Sequence, residues 1–339
     1  MRKDHTLTHI DPQRQRIWDA VSAFPIGNLW DFQGVPPMLI ARRTWHSIIE
    51  DNLLSRAAEL GYYFLFALFP ALISASAVLG LMARSATDIY VKLLNYMAVV
   101  VPHDALGIVL DTFNQTAANS TSGKVTFGIA FAVWSASVGF TAIQDTLNTV
   151  YKVKETRPYW KARGSAMLVT LLLGVLVTLT LCCLLAGTAL SHLLRRHIYH
   201  YDIGMAGGIA IHLVFDLVTL GMLNLLFAVI YYFAPDVKNK RWRLLTPGAA
   251  LGILGWILAS LALRLYLFYF NSYSLTYGSL GAVIILLTWF YLTGLMLLIG
   301  AEINSEIEAA ATERRLKAAG AIPPAVTSDP DAPVPAATS

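Results

Sequence analysis

The fold is decided by stretches such as residues 279–303, SLGAVIILLTWFYLTGLMLLIGAEI, whose only charged side chain is Glu302. Five more stretches of this kind precede it, at residues 57–82, 125–150, 166–190, 207–233 and 247–270. Each exceeds the roughly 20 residues that a helix needs to cross a hydrocarbon core of about 30 Å. The sequence therefore predicts an all-α, polytopic membrane protein with six transmembrane helices.

The basic residues predict how these helices are threaded. Of the 25 Lys and Arg residues, 19 lie before the first stretch, between the second and third, between the fourth and fifth, or after the last. Only five lie in the alternate loops, at residues 83–124, 191–206 and 271–278. The positive-inside rule places the loops rich in Lys and Arg in the cytoplasm. Six spans with both termini in the cytoplasm follow.

Composition and motifs exclude several function classes. The chain is 56% hydrophobic and 14% charged, far from the composition of a soluble domain. Its net charge of +4 is explained by the topology, so we expect no nucleic-acid partner. Motifs of soluble enzymes and nucleotide-binding sites are absent, and we expect no cofactor and no metal. The outer cluster of His192, His197 and His200 is interpreted as an anchor for a short loop.

Outside the spans, the sequence predicts four further segments. Residues 1–37 form a poorly ordered cytoplasmic N-terminus, and a membrane domain occupies residues 38–308. Residues 38–56 alternate apolar and charged side chains, as in an amphipathic helix that lies on the inner membrane surface or packs on the bundle. Short helices are expected at 88–118 in the first outer loop. The cytoplasmic tail, 309–339, is expected to be disordered after about residue 320 because it is rich in proline.

Polar side chains inside the predicted spans are the candidate site, because charges at that depth are costly and rare. In the second span Thr141, Gln144, Asp145 and Asn148 recur at helical spacing, which predicts one polar face turned into the bundle. The fourth span repeats this pattern. The candidate transport-site residues are Glu59, Gln144, Asp145, Asn148, His212, Asp216, Arg264 and Glu302.

The depth of these residues predicts two groups. Asp216 and Arg264 lie at similar levels in the outer half, and we expect them to form an ion pair. Glu59, Asp145 and Glu302 lie near the cytoplasmic ends and would form an acidic inner rim. One interpretation is a cavity with an outer charge pair. The other is that the pair locks helices together while the rim residues cap or reach the interface, and both stay open.

Several short runs carry a family resemblance. They are RAAELGYYF at 56–64, WSAS at 134–137, PGA at 247–249, YGSLGAV at 277–283 and GAE at 300–302. With them the chain resembles the YihY/BrkB family of bacterial inner-membrane proteins over about residues 40–308. The residues that match the family's motifs are Pro70, Arg157, Pro235, Gly248, Tyr277, Gly278, Gly281, Trp289 and Gly300.

The resemblance implies a six-span helical protein of the bacterial cytoplasmic membrane, with links to serum resistance and the cell envelope. Some members carried a ribonuclease BN label, but the histidine and aspartate metal motif of that nuclease is missing here. We therefore expect a protein that is not an enzyme. The leading hypothesis is a transporter or translocator of a lipid-like or anionic envelope molecule, with membrane lipids as partners. The alternative is a non-transporting membrane scaffold, and a homo-oligomer is compatible with either.

Overall fold

The computed structural model describes residues 12–23, 29–30, 34–83, 122–197, 201–239, 241–269 and 279–321. All regular structure within these ranges is helical. The eight helices of these ranges are α1 Pro12–Ala23, α2 Pro37–Glu50, α3 Leu53–Ala83, α4 Ser122–Val150, α5 Tyr159–His197, α6 Tyr201–Phe233, α7 Pro247–Tyr269 and α8 Ser279–Ala318. The predicted outer helices at 88–118, the end of the tail and the outer histidine side chains lie outside what is described.

The six long helices, α3 to α8, coincide with the six apolar stretches of the sequence. Four of them, α5 to α8, hold segments that are long and apolar enough to cross a membrane. An all-helical membrane fold is therefore confirmed. The count of six spans and the orientation of the termini stay predictions.

The long helices pack in a ring. In the described residues α3 packs on α4, α4 on α5, α5 on α6 and α7 on α8, and α8 closes the ring against α3. The junction between α6 and α7 is much thinner than the others. The main apolar core lies toward the predicted inner half and includes Leu60, Leu147, Val229 and Leu298. Every helix of the ring therefore has two neighbours, but α6 and α7 barely touch.

Glycines set the closest helix crossing, between α7 and α8. A Cβ on Gly248 would overlap the carbonyl oxygen of Gly300, and one on Gly300 would overlap the Tyr231 hydroxyl. Asn304 closes the same crossing, since its side-chain oxygen accepts the Gly248 N–H at 2.9 Å. Thr246 caps α7 by accepting the N–H of the third helical residue. These family-motif glycines therefore serve close packing, the ordinary role of small residues between membrane helices.

Helix α8 continues beyond the predicted membrane domain. Its 40 residues span about 60 Å, twice the thickness of a hydrocarbon core. Ile307, Ala310 and Ala311 pack on Ile40 of α2, and Ala309 packs on Trp18 of α1. Residues 309–318 and 12–23 are therefore parts of the packed body, where the sequence predicted a tail and a poorly ordered N-terminus.

Helix α2 shows both faces that the sequence left open. Ile40 and Ile48 are buried in the bundle, whereas Met38, Trp45 and Ile49 are exposed. The packed face contacts α8, and the exposed face carries the apolar side chains of an interfacial helix.

Candidate functional site

The outer half of α6 carries two polar side chains that remain open to solvent. His212 Nε2 lies 3.7 Å from Asp216 Oδ2, one helical turn along, and the two side chains are 47% and 53% exposed. Both lie inside a segment that is otherwise mostly apolar. Their exposure matters because a polar pair in contact with lipid has no water to solvate it.

The contacts of α6 show which way this pair points. Phe215 packs on Gly187 of α5, and Phe227 packs on Gly252 of α7. At about 100° per residue, Phe227 points about 120° around the helix axis from Phe215. His212 and Asp216 point about 60° and about 100° from Phe215 in the same sense, between those two neighbours. The pair therefore faces the interior of the ring.

Arg264 lies at the matching depth on α7. Asp216 is 17 residues from the inner end of α6 at Phe233, and Arg264 is 17 residues from the inner end of α7 at Pro247. The Arg264 side chain is exposed. His212, Asp216 and Arg264 therefore lie in the same half of the ring, two on α6 and one on α7.

The expected ion pair between Asp216 and Arg264 is wrong for this structure. Among the described residues, Asp216 pairs with His212 of its own helix, and no ion pair includes Arg264. The physical reason is helix placement. Outer α6 is held against α5, and outer α7 is held on α8 by hydrogen bonds from Trp256 to Thr293 and from Trp289 to Ser260.

The inner half of the ring is closed by a polar network centred on Asn148. The Asn148 amide donates to Glu155 at 2.8 Å, and its oxygen accepts the Asp236 N–H at 2.7 Å. It therefore joins the loop after α4 to the loop after α6. Asn148 is buried, as the sequence predicted for a polar residue of this face.

Arg157, a family-motif residue, completes this network. It donates two hydrogen bonds of 2.6 Å to Glu155 and one of 3.1 Å to the Ala234 carbonyl, next to Pro235. Partial burial opposes ionisation of Glu155, but the hydrogen bonds from Arg157 and Asn148 lower its pKa. Hydrogen bonding to Glu155 in turn raises the pKa of Arg157. Both residues are therefore ionised at neutral pH and hold the two loops together.

The predicted polar stripe of the second span is split. Gln144 is buried and donates to Ser165 of α5, and Thr141 lies within 3.4 Å of Arg163. Asp145, one position further, is exposed and contributes to the electrostatic field at Arg157. Consecutive helical residues point about 100° apart, so Asp145 does not share the buried direction of Gln144.

The predicted acidic rim is also split, because its members differ completely in burial. Glu59 is exposed on α3, whereas Glu302 has 0% of its surface exposed. Neither carboxylate oxygen of Glu302 has a hydrogen-bond partner among the described residues. Next to it Lys152 pairs with Asp51, and the Ser47 hydroxyl donates to Glu306 at 2.8 Å. Burial raises the pKa of Asp51, although Lys152 opposes that effect.

Sequence reasoning missed the partners in this buried group. Glu306 stands four residues after Glu302, a spacing that places both on one face of α8 and could have suggested the group. Lys152 and Asp51 gave no such signal, because they lie in turns that only the folded chain brings together. In the sequence analysis, Lys152 served only as one of the basic residues that predict a cytoplasmic loop.

The inner end also contains a small open cleft. Its volume is about 60 Å³, and its lining includes Tyr151, Tyr231, Arg241, Arg243 and Glu308. Arg243 pairs with Glu308 at 3.0 Å. Ligand pockets generally measure about 300–1,000 Å³, so this cleft has room for water but not for a lipid. The described residues include no group of three or more His, Cys, Asp or Glu that could hold a metal ion.

The remaining family-motif residues are structural where they are described. Pro70 lies inside α3, which continues to Ala83. Gly281 is buried near the start of α8, and the Trp289 indole bonds to α7. Tyr277 and Gly278 lie outside the described residues.

Comparison with known proteins places these features in a family. The model of the family described as virulence factor BrkB matches residues 44–323. The Bacillus subtilis (strain 168) protein YfkH, whose name calls it ribonuclease-like, is 33% identical over 252 residues, which cover 74% of this chain and 88% of YfkH. No solved structure matches the chain.

Two other relatives are named only as membrane proteins. A UPF0761 membrane protein of Stenotrophomonas maltophilia (strain R551-3) is 28% identical over 279 residues, or 79% of this chain and 60% of that protein. Another, of Tolumonas auensis, is 26% identical over 269 residues, or 78% of this chain and 83% of that protein. The chain therefore covers most of the Tolumonas relative but only 60% of the Stenotrophomonas one.

Proposed function

The chain belongs to the virulence factor BrkB family, and from that premise we propose that it translocates a lipid-like or anionic envelope molecule across the bacterial inner membrane. One observation carries this proposal. His212 and Asp216 are half exposed, although their positions on α6 direct them into the ring between α5 and α7. A polar pair that faces inward and is still open implies an outer cavity that admits water.

The chemistry of the opening favours an amphiphile with an anionic or zwitterionic head. Arg264 would attract a phosphate or carboxylate, and Asp216 would attract an amine. Apolar side chains border them on α6, among them Leu213 and Leu217. The thin α6–α7 junction provides a lateral path for an acyl chain.

The closed inner half supports an alternating mechanism. In the proposed cycle, Asn148 and Arg157 hold the inner loops together in the state in which the outer half admits water. Release to the other side would require these hydrogen bonds to break and α6 and α7 to come together. The residues of the outer opening would bind and orient the head group, and the inner network would act as the gate.

The proposal needs six spans with both termini in the cytoplasm. Reporter fusions at residues 120, 198 and 275 should then score outside, and fusions at 158, 240 and 315 should score inside. A fusion that scores on the opposite side at any of these sites would contradict the predicted topology. The charge distribution of the loops is its support.

Lipid movement in vesicles tests the function itself. Purified protein would be reconstituted into phosphatidylethanolamine and phosphatidylglycerol vesicles that contain a trace of fluorescent phosphatidylglycerol, and a membrane-impermeant quencher would report transfer between leaflets. We expect transfer that exceeds protein-free vesicles and is lost in Arg264→Gln. An exposed apolar residue of the same helix provides the matched control, Leu251→Ala.

A scaffold role is the alternative outcome. It would be indicated if well-folded protein moved neither the lipid probe nor a small anion such as phosphate loaded into the vesicles.

A further inference from the structure

The carboxyl group of Glu302 is the most unusual polar group in the described chain. It is fully enclosed, and neither oxygen receives a hydrogen bond. An ionised carboxylate in such a place costs several kcal/mol unless it is paired. The negative charge of Glu302 must therefore be removed by a bound proton or balanced by a bound cation.

The groups around Glu302 do not supply that balance. The charged groups that act on it are Asp51 and Glu50 at the end of α2, Lys152 in the turn after α4, and Glu306 on its own helix. The charge of Glu302 also acts on Tyr151, which belongs to the same turn as Lys152. Lys152 is the one cation of this set, and it is bound to Asp51. The neighbourhood is therefore acidic beyond what a single lysine can neutralise.

We propose that Glu302 is a proton-binding site, occupied by a proton at neutral pH in the state described here. A proton suits the site better than a metal ion, because no group of three or more His, Cys, Asp or Glu among the described residues could hold one. A bound proton makes the side chain a neutral carboxylic acid, which tolerates an apolar, enclosed position far better than the anion does.

The geometry also indicates what loss of the proton would do. Lys152 has a φ of 51° and Asn52, next to Asp51, a φ of 52°. Residues other than glycine rarely adopt this left-handed conformation, and for lysine it is strained. A change of state that admits water to Glu302 would let its O–H bond break, with the proton bound by that water as hydronium and the carboxylate left on Glu302. Lys152, the cation that acts on Glu302, could then leave Asp51 to neutralise the carboxylate.

This exchange would loosen the inner gate. Lys152 follows Val150, whose carbonyl accepts a hydrogen bond of 2.9 Å from Ser305 of α8, and the same turn leads into the Arg157 network. Movement of Lys152 toward α8 would therefore disturb the contact between α4 and α8. The assignment of the proton as coupling ion rests on the proposed function, whereas the proton site itself does not.

Infrared spectroscopy of the purified protein in nanodiscs tests the proton site without any transport measurement. The wild type at neutral pH should show the C=O stretching band of a protonated carboxylic acid, shifted in D2O. Glu302→Gln should lose that band, and Glu59→Gln, which removes an exposed carboxylate of α3, should keep it. A missing band in the wild type, or an unchanged band in Glu302→Gln, would overturn the proposal.

A second variant protects the test against a folding defect in Glu302→Gln. In Glu302→Asp the acid remains, so ¹³C labelling of aspartate carboxyls should shift the band in this variant and not in the wild type. If the same labelling shifts the band equally in both proteins, the proton belongs to an aspartate such as Asp51, and the assignment to Glu302 is wrong. Failure of lipid transfer with an intact band would count against the proposed function alone.

Discussion

The inner and outer halves of the helix ring are built from the same helices but are held together differently. In the inner half, side chains bond across loops: Asn148 joins two of them, and Arg157 adds three hydrogen bonds. In the outer half of α6, His212 and Asp216 lie 3.7 Å apart and are half exposed, and neither forms a hydrogen bond or ion pair with another helix among the described residues. Polar residues therefore hold this ring together where they reach across helices, and the His212–Asp216 pair makes no such contact among the described residues.

The largest expected effect is at the glycine crossing, on which the inner half depends. Gly248→Leu places a side chain where even a Cβ would overlap the Gly300 carbonyl. Overpacking typically costs about 1–3 kcal/mol, and here the obstacle is backbone, so we expect a larger loss. Size-exclusion chromatography of the detergent-solubilised protein should show little folded material.

Gly221→Leu is the matched control for that change. Gly221 is also a helical glycine, but nothing lies within 4 Å of a Cβ added there. Its folded yield should be close to that of the wild type. Equal losses in both variants would mean that the tight crossing is not what holds the inner half.

The next effect in size concerns the inner gate. Arg157→Ala removes the partner of Glu155 and leaves the Ala234 carbonyl without its donor. Loss of a partner to a buried or charged group costs about 1–3 kcal/mol, so thermal unfolding should occur several degrees lower. Lys161→Ala, an exposed cation of the same inner region, is the control. If both variants melt alike, the loops are not held by this network.

A pH dependence of the same network is the third prediction. The pKa of Glu155 is lowered in the folded protein from its ordinary value of 4.5. A lowered pKa contributes stability that is present above 4.5 and is lost as the pH falls through the folded value. The melting temperature should therefore fall less between pH 6 and about pH 3.5 in Glu155→Gln than in the wild type. Parallel curves would contradict a stabilising ionised Glu155.

The smallest effect is expected in the outer half. Asp216→Ala and Arg264→Ala should each change stability by less than about 0.5 kcal/mol, because exposed sites tolerate substitution. The double variant should show the sum of the two within about 0.5 kcal/mol, as for residues that do not interact. A larger coupling energy in a double-mutant cycle would mean that the helices close and the pair forms in the membrane.

The sequence predicted the helices well because hydrophobic length depends on local composition. The stretch at 125–150 became Ser122–Val150, and that at 247–270 became Pro247–Tyr269. Once the ends of a helix are known, the depth of each residue follows from its position along the helix. Asp216 and Arg264 are therefore found at matching levels, as predicted. Which neighbour each helix faces is a property of the packed ring, so their separation could not be predicted.

Residues close in sequence illustrate the same limit. Gln144 is buried and Asp145 is exposed, although both belong to one predicted polar stripe. The spacing of polar residues along a helix shows that they share one side of it. It does not show which residues within that side point into the core. The buried group at Glu302 depended on Asp51 and Lys152, which meet only because two helix ends adopt left-handed turns.

Cysteine labelling tests the central difference between the two halves most directly. In a background with Cys182 and Cys183 changed to serine, single cysteines would replace His212, Val214 or Gln144, and intact cells would be treated with a charged thiol reagent that does not cross membranes. Val214 is 59% exposed, slightly more than His212, but it points about 100° from Phe215 in the opposite sense, away from the ring interior. Thiols react as thiolates, which require water.

The water-filled outer opening predicts strong labelling of His212→Cys and little labelling of Val214→Cys, which would face lipid. Gln144→Cys, at a buried inner position, should stay unlabelled. Labelling of Val214→Cys as strong as that of His212→Cys, or an unreactive His212→Cys in folded protein, would contradict an open outer half above a closed inner one.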